Sequence, residues 1–262
     1  MIIRHDVDPE LYLVDPAQFP AVVAVASFQE EIFVAYDNID RMLKPSLIPE
    51  IAPEPEFRDR CDGMGTLIHP RWILTAAHVA IELSKKNPIT FADTAYAVDS
   101  FVIHPNFHNC SNDEDISSVK HDIALIQLQQ PVETVSPLPL YSQTDELQTI
   151  VTFVGKGDFG HGLIGPDSVD ARMRIATNRV EKVNDQWLVF KFDAPPETTA
   201  LEGIAGPGDS GGPALIKTVS GWAVAGISSG HDSKDHSEGY YGGWEYYTRV
   251  SQYLEWIKSV MP

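Results

Sequence analysis

The sequence has few cysteines, few basic residues and no long apolar run, and each shortage excludes a class of protein. Only Cys61 and Cys110 occur among 262 residues, which excludes a dense disulfide framework; the two thiols could pair or both stay free. The 19 Lys and Arg residues stand against 37 Asp and Glu, a formal net charge of −18. Nucleic acids and anionic membranes need a basic footprint, so neither is expected as a partner.

No segment has the composition of a membrane span or of a secretory signal. The apolar run at residues 19–28 is too short to cross a bilayer, and residues 1–12 are too charged for a signal peptide. We therefore expect that any export segment is missing from this chain.

Helical periodicity is also scarce, whereas short β-rich runs separated by Pro and Gly are common. With 43% hydrophobic residues the chain can bury a core. The spacing of these runs predicts an all-β sandwich or barrel. The runs lie at residues 21–28, 65–76, 94–103, 122–128, 148–155, 171–183, 186–193, 213–219 and 222–229.

Three further segments define the expected organisation. A helix is predicted only at residues 251–261, where four apolar side chains would share one face. Residues 44–60 are rich in proline and charge and fall in an expected exposed insertion at about residues 29–60. Residues 129–143 look like a crossover between two β units. The four side chains of the helix face are Tyr253, Leu254, Ile257 and Val260.

The residues at 206–215, GPGDSGGPAL, place one hydroxyl, Ser210, in a stretch dense in glycine and proline. Glycine permits sharp bends and close approach of other groups, and proline fixes φ. A serine hydroxyl is a weak nucleophile that needs a base, itself oriented by a third group. His78, after an apolar strand, and Asp122, at the start of another, are candidates because a buried carboxylate needs a partner.

Three short motifs carry a resemblance to a known family. TAAH ends at His78, HDIAL contains Asp122 and GDSGGP contains Ser210, with separations of 44 and 88 residues. In this order and spacing the chain resembles the chymotrypsin/trypsin family of serine peptidases from about residue 63 to its end. Because the cysteines usual near the catalytic residues are replaced, at Gly63, Val79 and Gly206, it resembles a bacterial-type member.

The resemblance implies two six-stranded antiparallel β-barrels with a C-terminal helix. Residues 1–135 would form the first barrel, with His78 and Asp122, and residues 136–262 the second, with Ser210 and the specificity pocket. It also implies a serine endopeptidase without metal or cofactor. Its partner would be a polypeptide substrate, and it would act as a monomer that is secreted or periplasmic.

The resemblance assigns a role to each member of the expected triad. Ser210 would attack the scissile carbonyl, His78 would carry the proton, and Asp122 would fix the imidazole tautomer. The N–H groups of Gly208 and Ser210 would form the oxyanion hole. Ser229 would donate a hydrogen bond to Asp122.

The specificity pocket is expected to select the side chain on the amino side of the scissile bond. A carboxylate on the pocket wall, Glu245, would bind a basic side chain, whereas Glu245 turned outward to Arg249 or solvent would leave an apolar pocket. We expect mixed specificity, that is, cleavage after Lys or Arg as well as after large apolar residues. The residues expected to bind substrate are Ile204 at the pocket floor, Ala205, Pro207, Ser229, Gly230 and Glu245.

Other readings of the same residues remain open at this stage. A catalytically silent homologue could use the cleft to bind peptides or proteins. An esterase on a parallel α/β fold could use Ser210 with Asp232 and His236, but such a fold needs helices that the sequence lacks. His231 and His236 near acidic residues are better explained by a solvated loop than by a metal site.

Activation in the family implies a fresh N-terminal amine paired with the position of Asp209. Ile2 and Ile3 lack the glycines that usually follow such a terminus. If Met1 is retained, we expect the usual ion pair to be absent and Asp209 to need another partner.

Overall fold

The computed structural model describes residues 1–32, 56–109, 116–196, 198–232 and 238–261. Within these ranges the secondary structure consists mainly of β-strands, with two short α-helices, so the predicted all-β class with a C-terminal helix is confirmed. The insertion core at residues 33–55, Cys110 and His236 lie outside the described residues. No described helix is long and apolar enough to cross a membrane.

The second half of the chain forms a closed six-stranded barrel, as predicted. Closure leaves no strand edge unpaired. Phe153 and Tyr247 stack inside it with ring centroids 4.7 Å apart, and Phe190 packs edge-on against both. In barrel order the strands are β12 (Arg174–Val183), β13 (Trp187–Lys191), β17 (Trp244–Arg249), β16 (Gly221–His231), β15 (Pro213–Thr218) and β9 (Ile150–Gly155).

The first half forms the other of the two predicted β-barrels. Its described strands pair as a five-stranded sheet and a separate two-stranded ribbon that packs against the sheet. In sheet order the strands are β2 (Val22–Ile32), β3 (Glu56–His69), β4 (Trp72–Thr75), β8 (Ala124–Leu128) and β7 (Val98–Ile103); the ribbon is β5 (Ile89–Phe91) with β6 (Thr94–Tyr96).

The first residues of the chain pack against the second half rather than the first. Strand β1 (Ile2–Ile3) lies between β10 (Phe159–His161) and β14 (Gly203–Ile204), and β11 (Gly165–Ser168) extends this small sheet. Sequence reasoning placed these residues in the first barrel, because strand pairing over such a distance leaves no local signal. The division near residue 135 stays a prediction for the rest of the chain.

Two short helices complete the fold. Helix α1 (Ala77–Ala80) follows β4 directly and carries His78. Helix α2 (Leu254–Val260) packs its predicted apolar face on the core: Ile257 is fully buried, and Leu254 and Val260 contact the core.

A cysteine pair at residues 63 and 79 tests the packing of β3 against α1. A Cβ built on Gly63 would lie 2.6 Å from Cγ1 of Val79, so the two positions are in direct contact. We expect the double variant Gly63→Cys, Val79→Cys to form a disulfide that closes a loop of about 15 residues and raises the free energy of unfolding by about 3 kcal/mol. Denaturation of the oxidised and reduced forms, with wild type as control, measures this. Equal stability of the two forms would contradict the packing.

Candidate active site

His78 is positioned by a strand and a helix that leave its backbone little freedom. Strand β4 is buried along its whole length, and the next residues, Ala76 and Ala77, are fully buried. Small side chains at this point let helix α1 begin close to the sheet. The His78 side chain is 28% exposed and lines a cavity.

Asp122 lies just before β8 and is 1% exposed. Its Oδ1 accepts a hydrogen bond from the His78 backbone N–H at 2.9 Å, and its Oδ2 lies 2.7 Å from His78 Nδ1. Ser229 Oγ also donates to Oδ2. A buried carboxylate is costly unless it is paired and hydrogen-bonded, and Asp122 is both. The arrangement predicted for His78, Asp122 and Ser229 is therefore the one that the structure contains.

His78 and Asp122 each shift the pKa of the other. Burial alone would lower the pKa of His78, but the Asp122 charge and hydrogen bond outweigh it, and the pKa is raised. Burial alone would raise the pKa of Asp122, but His78, Ser229 and the backbone amide lower it. Asp122 is thus kept ionised beside an imidazole that accepts a proton readily.

The glycines around Ser210 are required by the backbone. Gly208 has φ +87°, and a Cβ there would lie 1.9 Å from the carbonyl oxygen of Cys61. Gly211 has φ +81°, and its Cβ would lie 2.3 Å from the carbonyl oxygen of Met64. The loop therefore packs directly on β3, at a distance that only glycine allows.

This packing places Ser210 on the cavity that His78 also lines. The hydrogen bond between a hydroxyl nucleophile and its base often tightens only when substrate binds. The backbone N–H groups of Gly208 and Ser210 have no acceptor among the described residues. A charged oxygen close to Ser210 could accept hydrogen bonds from such groups.

Asp209 is held by an ion pair that the sequence analysis did not expect. The Met1 ammonium lies 2.6 Å from Asp209 Oδ2, with both groups almost fully buried, and it also donates to the Asp158 carbonyl. The Asp209 carboxylate accepts from the N–H groups of Gly157 at 2.8 Å and Gly206 at 3.0 Å. The expectation that a retained Met1 would prevent this ion pair was wrong, because Met1 itself supplies the amine.

The cavity beside Ser210 has a volume of about 400 Å³. Four of the six residues expected to bind substrate line it: Ala205, Ser229, Gly230 and Glu245. Ile204 and Pro207 are not among the described lining residues. Ile204 instead packs in an apolar cluster with Ile2 and Phe192, so it lies behind the pocket rather than in its wall.

Glu245 is a buried polar group of this cavity. It is 2% exposed, and its Oε2 has no hydrogen-bond partner among the described residues. Its pKa is raised well above the ordinary value by burial, and also by Glu238 and Asp209, while the Met1 ammonium opposes the shift. The alternative that Glu245 pairs with Arg249 does not apply, since Arg249 binds Glu146 at 2.6 Å.

Sequence reasoning missed Glu238, which lines the same cavity. The preceding residues 233–237 are not described, and the loop length between Gly230 and Glu245 gave no rule for which side chain turns inward. The only sequence signal for this position was that Glu238 is an acidic residue close to Glu245 in the chain.

Two further observations concern the cysteines and possible metal ligands. Cys61 is a buried free thiol, and burial raises its pKa to about 12. Among the described residues, no group of three or more His, Cys, Asp or Glu side chains is arranged to hold a metal ion.

The sequence profile of the trypsin family matches residues 58–257, which include His78, Asp122 and Ser210. The chain belongs to the trypsin family. The residues outside the match include the first segment, with the Met1 amine.

Animal proteases are similar to this trypsin-family chain at low identity. A tryptase of Mus musculus is 28% identical over 76% of this chain and 78% of its own length. A CLIP domain-containing serine protease B10 of Anopheles gambiae is 28% identical over 86% of this chain and 67% of its own. The vitamin K-dependent protein C of Mus musculus is 29% identical, but the match spans only 45% of its length.

These relatives support serine protease activity for this chain. They come from animals and give no support to the expectation of a bacterial-type member, which rested on missing cysteines. Loss of a disulfide is possible wherever packing replaces it, as at Gly63 and Val79, so it is a weak sign of origin.

The raised pKa of His78 predicts where activity is lost on acidification. A general base must be neutral, so kcat/KM should fall about tenfold per pH unit below that pKa, starting above the 6.5 of an ordinary histidine. A pH profile of peptide hydrolysis measures this. In Asp122→Asn, NMR titration of the His78 ring should give a lower pKa. A flat profile from pH 5 to 8 would contradict the role of His78.

Removing the Asp209 charge tests the buried ion pair in protein with a free Met1 amine. Asp209→Asn leaves the ammonium unpaired, and we expect the free energy of unfolding to drop by about 3–5 kcal/mol. Asp193→Asn is the control: it breaks a partly exposed pair with Lys191, for which about 1 kcal/mol or less is expected. Equal losses in urea denaturation would show that the Asp209 pair is not a buried constraint.

Proposed function

We propose that this trypsin-family protein is a serine endopeptidase whose triad is Ser210, His78 and Asp122. The observation that carries the proposal is the buried Asp122 carboxylate bound to His78 Nδ1 at 2.7 Å, with Ser210 on the same cavity. A buried aspartate that orients a histidine beside a serine is the arrangement that activates a hydroxyl.

The reaction proceeds through an acyl-enzyme. Ser210 Oγ attacks the scissile carbonyl carbon while its proton passes to His78 Nε2. The N–H groups of Gly208 and Ser210 stabilise the negative oxygen of the tetrahedral intermediate. The C–N bond breaks as His78 returns the proton to the leaving amine. Water then loses a proton to His78 and attacks the ester, which releases the acid product and restores Ser210.

The cavity selects the residue on the amino side of the cut. Ala205 and Gly230 leave room for a large side chain, and Glu245 supplies a carboxyl group that lacks an internal partner. Lys or Arg would bind this carboxylate, and large apolar side chains would bind when it is neutral. Mixed specificity is therefore the proposal, with the basic share dependent on Glu245.

The substrate class and the location of the protein are inferred from the family. Polypeptides are the substrates, and trypsin-family relatives are typically secreted, so we propose an extracellular monomer. A silent binding homologue would keep the cleft without turnover. No specific observation favours it, because the chain keeps Ser210, His78 and Asp122.

Cleavage of a peptide library tests function and specificity together. Ser210→Ala should abolish cleavage while circular dichroism and unfolding remain as in wild type, because the hydroxyl serves chemistry rather than packing. Glu245→Gln, which is matched in size, should keep cleavage after apolar residues and lose at least tenfold after Lys and Arg, since a charge-assisted hydrogen bond is lost. Residual full activity in Ser210→Ala, or an unchanged ratio in Glu245→Gln, would contradict the respective assignment.

A further inference from the structure

Two carboxyl groups face the cavity beside Ser210, and neither is needed for the triad. Glu245 extends from β17, and Glu238 comes from the loop that precedes this strand. Burial raises the pKa of Glu238 as well, although His231 and the Met1 ammonium oppose the shift. The cavity is therefore lined by two of these acidic side chains rather than by Glu245 alone.

Within the part of the chain that the structure describes, Glu245 has no ion-pair partner. The Met1 ammonium, which opposes the rise in the pKa of Glu245, is already paired with Asp209 at 2.6 Å. His231 lies opposite Glu245 in the β16–β17 register. Its imidazole acts on Glu238, whose pKa it lowers.

The remaining described groups that shift the pKa of these two glutamates, or lie beside them, are acidic or neutral. Asp209 raises the pKa of both glutamates, and Asp158 raises that of Glu238. Tyr247 is buried on the same strand, and its pKa is raised well above the ordinary value, so it stays neutral. At the other end of the cavity the Asp122 charge is bound to His78.

We propose that Glu238 and Glu245 act as a carboxyl pair, in which Glu245 is protonated in the empty pocket and releases its proton to solvent when the cationic end of Lys or Arg enters. Selectivity for basic over apolar side chains then rises with pH. This inference rests on the proposed peptidase function, since it takes the cavity as the substrate pocket.

The physical reason is the cost of an unpaired buried charge. An empty cavity favours the neutral acid, because ionisation would leave a carboxylate without a partner. An incoming ammonium or guanidinium supplies that partner, so binding and deprotonation are linked. Below the pKa of Glu245, the affinity for a cation should fall up to tenfold per pH unit, while an apolar side chain is unaffected.

The first experiment measures binding without turnover. Isothermal titration of Ser210→Ala protein with benzamidinium, an aromatic amidinium, is run from pH 5.5 to 8.5 in two buffers with different ionisation enthalpies. We expect up to one proton released per cation bound at the acidic end, and affinity that rises with pH. In Ser210→Ala, Glu245→Gln the proton release and the pH dependence should both disappear. Affinity independent of pH in the Ser210→Ala protein, or release that persists without Glu245, would overturn the proposal.

Glu238→Gln, in the same Ser210→Ala background, tests the pairing. Removing the neighbouring negative charge should let Glu245 ionise more easily, so the pH midpoint of proton release should shift downward while the release itself remains. An unshifted midpoint would remove Glu238 from the pair.

A substrate pair separates this inference from the function on which it rests. Two peptides that differ only in Lys or norleucine before the cut have similar side-chain length, and His78 titration affects both equally. The ratio of their kcat/KM values should rise with pH in wild type and stay flat in Glu245→Gln. Cleavage with a flat ratio in wild type overturns the carboxyl pair and leaves the peptidase. Proton-linked binding without any cleavage overturns the peptidase and leaves the pair.

Discussion

The Asp209 carboxylate is the constraint on which the active region depends. It is buried with the Met1 ammonium and accepts two backbone N–H groups, from Gly157 and Gly206. These contacts tie the first residue of the chain to the loop that carries Ser210. The proposed oxyanion donors and one wall of the proposed specificity cavity belong to that loop, so loss of the ion pair should disturb both.

Four buried carboxylates in this molecule differ in whether all their oxygens have hydrogen-bond or ion-pair partners. The difference corresponds to the roles that we assign to them. Asp209 and Asp122 have full sets of partners and therefore hold other groups in place. Glu146 is likewise satisfied by Arg249 and Ser251. Glu245 alone among these four retains an unpartnered oxygen. Because Glu245 lines the cavity beside Ser210, we propose that this oxygen binds substrate rather than stabilising the fold.

The motifs around His78, Asp122 and Ser210 are readable in the sequence because they combine local backbone requirements with chemistry. Gly208 and Gly211 need positive φ, and small residues before His78 allow a helix to start against a sheet. Such requirements act over a few residues and leave a readable pattern. The C-terminal helix face around Ile257 was predicted for the same reason.

The features that sequence reasoning missed depend on contacts between distant residues. The Met1 amine reaches Asp209 across the whole chain, and Ile204 is drawn behind the pocket by pairing with Ile2. Glu238 reaches the cavity because of the course of the loop before β17. The length of that loop gave no rule for which side chain turns inward. None of these contacts follows a regular spacing in the sequence, so none can be predicted before the fold is known.

The central claim is that His78 activates Ser210 as a nucleophile, and covalent labelling tests it most directly. A small phosphonylating reagent should modify the protein once, and peptide mapping by mass spectrometry should place the label on Ser210. The same reagent should react at least a hundredfold more slowly with His78→Ala. Absence of labelling in folded protein, or equal rates for the two proteins, would contradict the account.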